Sequence, residues 1–576
     1  MPEEKNLLRN GRVIQTKQCK HCQSSFDITD KDLEFYDKIS PVFAWKKCQI
    51  PPPTFCPDCR RQRRLSFRNE RNLYKNTCGK TGKQVISSIS PDKEYTIFHQ
   101  EEWWKDNRNP LDYGIDIDLN KSFFEQFDAL LKKVPRPALN VINNENSPYI
   151  NQCGYTKDSY LCFDCDYSQN CLYSSDITNS EYMVDVLFAD VSQIAYESAN
   201  IQNCYKVFYS FQCKDSNNLY FCYNLTGCNN CFWSVNLRNR SYCFFNQQLS
   251  KEEYEEKTWM IQSRSYNDIC YIRQRFSEHK VKFFHKNLEI AESENVSGDY
   301  IKSSKNAHMC FEAFDSEDVA YCGGIGHLKD TYDFDIGWYE SARCLECISS
   351  GDKNYNDLFG MNHRGNDSNI IYSDILVNCK NCFGCIWLRG KEFCILNKQY
   401  TKNEYETLVS KIIEKMQADG ERWEFFHPQI SSFGYNETVA MEHSPLSKEE
   451  ALRQWFKRSD YKAPIPQVEK TLNADELPET IIDVTDDILQ QAIICEVSGK
   501  PFRIIKQELE FYRKYNLPLP HKHPDVRHIE RFNLRNPRKL FDRKCDKCWI
   551  DIKTTYSPER KEIVYCESCY NKEIYW

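Results

Sequence analysis

Aromatic or cysteine clusters recur along the middle of the chain at Tyr160, Leu172, Tyr182, Tyr205, Tyr220 and Phe232. They return at Tyr300, Phe311, Tyr321, Tyr332, Cys344, Tyr372, Phe383 and Cys394, mostly 10–12 residues apart. Between them lie Asn, Asp, Ser and Gly, as in "YSQN", "CKDSNN" and "GNDSN". Such residues tolerate positive φ or bond their own backbone, so they mark turns. Short aromatic-rich stretches separated by turns predict strands. Two spacings, about 22 residues, would make one coil of a β-solenoid that buries its inward side chains on the next coil. Small antiparallel hairpins are the alternative.

Helix signals bracket these strands. Ser250–Glu253 and Thr401–Glu404 fit the capping box, in which hydroxyl and carboxylate satisfy orphan amide donors. "EYETLVSKIIEKM" after the second is amphipathic, and "SFFEQFDALLKKV" and "YIRQRFSEHKVKFF" predict helices before each strand-rich stretch. Their expected role is to cover open solenoid ends, which would otherwise present unpaired edges. Another short helix is predicted at Ser447–Glu450.

Two duplications organise the chain. "NCFWSVNLRNRSYCFFNQQLSKEEYE" at 230–255 matches "NCFGCIWLRGKEFCILNKQYTKNEYE" at 381–406 at offset 151, and Phe127–Glu145 matches Phe276–Glu294 at offset 149. The second duplication joins the termini. Arg68, Arg71, Cys78 and Pro91 match Arg535, Arg538, Cys545 and Pro558 at offset 467, and "LEFY" at 33–36 matches 509–512 at offset 476.

Each terminal segment has room for two four-ligand sites. Cys19, Cys22, Cys56 and Cys59 form one complete set of paired CxxC turns, and Cys545, Cys548, Cys566 and Cys569 form another. Two such turns supply the tetrahedron of thiolates that Zn²⁺ takes. The remaining two sites have decayed to Cys78, Thr81, His99 and Glu102, and to Cys495, Ser498, His523 and Val526. The expected cofactor is therefore Zn²⁺ in two structural sites. Cysteines packed in cores, or a redox CxxC, are the alternatives.

The expected fold class is multidomain and mainly β. Zinc ribbons sit at both ends, and two duplicated β-solenoid-like modules with capping helices lie between. The segments are 1–110 (ribbon), 111–140 (helical connector), 141–262 (module 1), 263–284 (helical connector), 285–418 (module 2), 419–489 (linker) and 490–576 (ribbon).

"CKHCQSSF…LEFYDK…PTFCPDCRRQRR" resembles a zinc-ribbon family: CxxC, a Phe four residues on, a Glu-Phe-Tyr helix, then Cys-Pro-x-Cys-Arg. The likeness covers residues 17–64 and, in decayed form, 493–531. It implies Zn²⁺ at Cys19, Cys22, Cys56 and Cys59. The whole chain, through "SPDKEY", "FNQQLSKEEYE", "FGYNETVA" and "NPRKLFDRKCDKC", resembles large cysteine-repeat proteins of uncultivated small-genome bacteria. That resemblance implies architecture and no particular activity.

Composition and charge refine the picture. Thirty cysteines with no apolar signal core in "MPEEKNLLRN" point to a reducing cytoplasm, where disulfides are rare. No apolar run is long enough to span a membrane. Residues 1–110 carry 21 Lys+Arg against 14 Asp+Glu, a net +7. Residues 490–576 carry 18 against 12, a net +6, so the total of −7 leaves −20 for the middle. Arg60, Arg61, Arg63, Arg64 and Arg68 at one end, and Arg535 and Arg538 at the other, form basic strips beside the zinc sites. Interleaved Arg and aromatics suggest RNA or a ribonucleoprotein as partner, with a protein partner also open. The alternative is that these arginines pair with the acidic body.

The expected function is a zinc-binding scaffold or interaction protein. A thiol-rich metal store or redox buffer through Cys162/Cys165, Cys228/Cys231, Cys344/Cys347 and Cys379/Cys382/Cys385 is the second reading. A glycan-active β-helix using acidic residues such as Asp335 is the third. No P-loop, dinucleotide fingerprint, HExxH or nucleophile elbow is present.

Overall fold

In the computed structural model, every third residue from Gln152 to Phe245 has a φ of 44–67°. The structure describes residues 11–105, 108–260, 265–462, 468 and 470–575. Residues 1–10, which hold "MPEEKNLLRN", and 463–467 and 469 of the expected linker lie outside the described residues.

A left-handed residue turns the chain, so each side of the coil is three residues long. Neighbouring parallel strands pair twelve residues apart, as Phe163↔Ser175, Ser175↔Leu187 and Glu181↔Gln193 do. Four sides therefore make one coil of 12 residues, not the expected 22. The aromatic spacing of 10–12 residues marks a whole coil and not half of one. Asn and Asp hold 14 of the 32 left-handed positions between 152 and 245, and their side chains ease that conformation. Tyr, Phe and Trp hold ten more. There, stacking on the next coil offsets strain: Tyr155 lies on Tyr167 at 4.8 Å and Tyr209 on Phe221 at 4.7 Å.

The residue after each corner points inward. From Cys153 to Ser234 every third residue is buried, and most are Ser, Cys, Ala, Val, Ile or Leu. Most inward thiols and hydroxyls share one hydrogen bond, donated to the carbonyl two residues back. Ser168 Oγ donates to Asp166 O at 2.9 Å, Cys222 Sγ to Tyr220 O at 3.4 Å and Cys385 Sγ to Phe383 O at 3.5 Å. The lumen cysteines thus act as small, less polar serines. Serine also accepts the next coil's amide, as when Cys204 N donates to Ser192 Oγ at 3.1 Å.

The chain divides into two units, 1–138 with 288–461 and 139–287 with 462–576. Each unit joins one solenoid to one ribbon. The N-terminal ribbon belongs with the second solenoid, and the C-terminal ribbon with the first. The duplications map one unit on the other, register included. Strand Ile97–Phe98 pairs in parallel with Arg136–Pro137. At offsets 467 and 149 these become Val564–Tyr565 and His285–Lys286, which pair identically in the other unit.

The predicted helices form at Asp30–Ile39, Phe123–Lys133, Tyr266–Lys280, Lys402–Asp419, Lys448–Arg453 and Lys506–Tyr515. Both capping boxes are made: Ser250 N donates to Glu253 and Thr401 N to Glu404, each at 2.9 Å. Helices Lys251–Met260 and Lys402–Asp419 set Tyr254 and Tyr405 against Tyr242 and Phe393 of the last parallel strands. The other two do not cover ends. Helix Phe123–Lys133 lies along an aromatic column, with Phe124 at 5.4 Å from Tyr372 and Phe123 at 5.0 Å from Phe383. Phe276 meets Phe221 in the equivalent column of the other unit. Part of the expected linker is core: Phe426 is fully buried and packs on Phe127 at 4.8 Å.

The second solenoid departs from the first in two regions: its first coil is one residue short, with Ile290↔Ile301 11 apart, and later coils are one residue long. Tyr332↔Leu345, Leu345↔Leu358 and Tyr355↔Ser368 are 13 apart before the 12-residue register resumes at Ser368↔Lys380. One corner carries the extra residue in each coil. Glu340, Lys353 and Asn366 are extruded and exposed, and the first two pair at 2.6 Å.

Candidate metal centres and the contacts that hold them

Each complete quartet is built from a strand hairpin and a helix start. Cys19 and Cys22 lie on the turn after strand Val13–Gln18, and Cys56 caps helix Pro57–Leu65, which carries Cys59. The turn is closed by Gln23 N donating to Cys19 O at 3.0 Å, with Gln23 left-handed at φ 64°. The C-terminal quartet repeats this with Trp549 at φ 63° donating to Cys545 O at 2.9 Å. Within each quartet the four sulfurs lie within 4.8 Å of one another. Cys22 and Cys56 are 3.6 Å apart, and Cys548 and Cys566 3.8 Å.

Backbone amides prepare these sulfurs for negative charge. Cys56 N donates to Cys19 Sγ and Cys566 N to Cys545 Sγ, both at 3.2 Å. Burial pushes the Cys545 thiol up, but amide bonds from Cys566, Cys548 and Lys547 outweigh it and hold the thiol at about 6. A thiol hydrogen bond from Cys59 holds Cys56 at about 5. Four thiols converging on one point, with amides aimed at the sulfurs, fit a tetrahedral thiophilic cation. All eight residues named from the sequence are brought together.

The decayed sites keep the hairpin without the donors. Cys78 N and Cys495 N donate to Lys83 O and Lys500 O, and the left-handed corner is Gly82 or Gly499. His99 and His523 stand where a ligand stands in the complete sites, yet each caps its helix. Their Nδ1 atoms accept from Glu101 N at 3.4 Å and Asp525 N at 3.1 Å. Among the described residues, the groups of three or more donors placed for a metal are the two cysteine quartets.

The arginine strips go elsewhere than expected. Arg60, Arg61, Arg63, Arg64 and Arg68 are all buried. Arg60 Nε donates to Asp333 at 2.8 Å, Arg63 to Glu346 at 2.9 Å, and Arg64 to Asp335 at 2.8 Å and Asp333 at 3.1 Å. Arg61 lies 3.7 Å from Asp335, and Arg68 bonds Glu70 and Ser349. These five guanidiniums are buried within the unit, so the expected phosphate contact through them is corrected: the oxyanions of Arg60, Arg61, Arg63 and Arg64 are the solenoid's carboxylates, and that of Arg68 is Glu70. Desolvation forces such pairing on a buried charge. Of the C-terminal pair, Arg535 is half-buried over Phe188 at 3.8 Å, and Arg538 is half-buried. Asp335, the candidate glycan-cleaving acid, is itself fully buried against Arg64.

The same lock recurs in the other unit. Arg527 and Arg531, at offset 467 from Arg60 and Arg64, both bond Asp185, the latter at 2.8 Å. Asp185 and Asp333 occupy left-handed corners. Tyr173 donates to Glu508 at 2.7 Å under Arg527, and Tyr321 to Asp32 at 3.3 Å under Arg60. Sequence reasoning missed Asp185, Asp333 and Tyr173, and took Tyr321 only as one of the recurring aromatics. Their recurrence at offset 148 is the signal that could have found them.

One more cluster lies inside the second solenoid, within the 13-residue coils. A single coil there turns Asn354, Asp357, Gly360 and His363 inward. His363 Nδ1 meets Asp357 Oδ2 at 2.8 Å, and His363 Nε2 donates to Ser373 O at 2.9 Å. Gly360 is required, since a Cβ there would lie 2.2 Å from Asp357 Oδ1. The first solenoid has Val207, Ser210 and Cys213 at the places of Asp357, Gly360 and His363. Burial opposes charge on His363, but Asp357 overcomes it and raises the imidazolium to about 10 from 6.5. The folded state therefore holds the proton more tightly than the unfolded chain. This contribution is complete below pH 6.5 and is lost as pH rises to about 10. Urea unfolding midpoints measured across that window should fall with pH in the wild type and lose most of that slope in His363→Gln. An unchanged slope would refute the assignment.

No protein-family model matches the chain, and no curated protein does. Among solved structures, a putative acetyltransferase from Desulfovibrio desulfuricans G20 aligns over 50% of this chain and 79% of its own, at 9% identity and a TM-score of 0.09. A likeness that slight carries no argument about fold or activity. Two four-cysteine centres and a β-solenoid architecture are what the chain contains, and no helix among the described residues is long and apolar enough to cross a membrane.

Proposed function

We propose that the protein is a scaffold in which two structural Zn²⁺ ions fix ribbons onto β-solenoids, and that the assembled surfaces bind a macromolecular partner. The observation that carries this is the convergence of each quartet inside a ribbon locked to its solenoid by buried arginines. A metal so placed lies in a closed, four-cysteine shell, which is the structural and not the catalytic form of a zinc site. The lumen thiols support this reading over metal storage, because their hydrogens are already engaged with backbone carbonyls. The thirty cysteines, all free thiols, suit a reducing compartment, so the cytoplasm remains the proposed location. RNA or a ribonucleoprotein remains the proposed partner class, met by side chains other than the buried arginines.

Metal analysis of the purified chain tests it. About two zinc ions per chain are expected, unchanged when Cys222, Cys231, Cys382 and Cys385 are replaced by Ser. A content well above two that falls with those replacements would instead establish the thiol store. RNA binding should weaken steeply with salt, and no binding at low salt removes that partner.

A further inference from the structure

The chain crosses between its units at equivalent points. After Ala138 it leaves the first unit for the second, and after Asn287, at offset 149, it returns. The N-terminal half, residues 1–260, thus gives its ribbon and helix Phe123–Lys133 to the solenoid made by the other half. The half from residue 265 gives helix Tyr266–Lys280 and its ribbon to the solenoid made by the first. Both gifts use the same contacts. Arg60 and Arg64 grip Asp333 as Arg527 and Arg531 grip Asp185. Within each half, strand Arg136–Pro137 or its counterpart in Phe284–Lys286 pairs with the edge of that half's own ribbon, so ribbon and helix are given together.

We infer that the two halves are reciprocal binding partners, each a ribbon donor and a solenoid acceptor, so that the single chain is a fused pair of exchanged protomers. The partner that the ribbon recognises is a solenoid of this same type. Its mark is an acid at a left-handed corner next to a tyrosine one coil away: Asp333 with Tyr321, twelve residues apart, and Asp185 with Tyr173, also twelve apart. Neither half holds a complete unit, so the peptide link between Met260 and Ser265 is not what keeps them together. Two simultaneous grips make the association bivalent, and bivalency can raise avidity about 10²–10⁴-fold above either grip alone.

The test uses the full, zinc-loaded chain with a protease site inserted between Met260 and Ser265. After complete cleavage the two fragments should elute together on size exclusion and part only in denaturant. In the cleaved protein, Asp333→Asn or Asp185→Asn alone should leave them together, whereas the two combined should lower the denaturant concentration at which they part by more than either alone; a double variant that parts where the wild type does would overturn the role given to these two acids. Circular dichroism and zinc content before cleavage identify any variant that has failed to fold, and the wild-type cleavage decides the question without them. Separation of the wild-type fragments would overturn the inference. Release by either single replacement would show one grip only and overturn its reciprocity.

Discussion

Cys59→Ser should lower the metal content from about two per chain to about one and unfold the N-terminal ribbon. The quartet has no spare ligand, since Cys19, Cys22 and Cys56 are its other members and the decayed site nearby keeps Cys78 alone of its cysteines. Binding of Zn²⁺ to a structural thiolate site is tied to on the order of 10 kcal/mol of folding free energy. Hydrogen exchange of the Asp30–Ile39 and Pro57–Leu65 helices would read the loss directly, with emission spectroscopy counting the metal. Cys545→Ser should do the same to the C-terminal ribbon, and Cys78→Ser should leave the count unchanged. Retention of both ions in Cys59→Ser, with protection intact, would remove the structural role assigned to this quartet.

The second large effect is expected at Arg64. Its guanidinium is fully buried among Asp333, Asp335 and Glu346, at 2.8–3.3 Å. Arg64→Met leaves buried carboxylates short of a partner, and breaking such a pair costs roughly 3–5 kcal/mol. Adding Asp335→Asn should recover a substantial part, because it removes the stranded charge. Denaturant titration of the single and double variants gives both numbers. Arg531→Met is the parallel test in the other unit, where Asp185 receives two arginines. A change below about 1 kcal/mol in either would mean that the buried ion pairs contribute little net stability.

Why these arginines could not be placed from the sequence is a matter of distance along the chain. Arg64 and Asp335 are 271 residues apart, and a basic strip looks the same whether it faces phosphate or buried carboxylate. The quartets were legible because CxxC fixes geometry within four residues. The capping boxes were legible for the same local reason. The duplications at offsets 149, 151 and 467 were also visible, and they proved to relate whole units. The coil length was not visible. Its corners accept Asn, Asp, Tyr, Phe and even Trp, so no single residue type marks the three-residue step, and aromatic clusters report only the coil repeat. The polar coil around His363 escaped because it depends on the one-residue insertions at Glu340, Lys353 and Asn366, which shift no obvious motif.

The exchange of segments between units bears on how the chain is made. A ribosome delivers residues in order at about 5–20 per second. The first unit has all its parts once residue 461 has emerged, but the second must wait for residues 462–576. The solenoid synthesised first is therefore the one finished last, some 15–60 s after its own final strand by that rate. Through that interval its tyrosines and Asp185 stand without the ribbon that will cover them, so the nascent protein has its longest exposure to misassociation there.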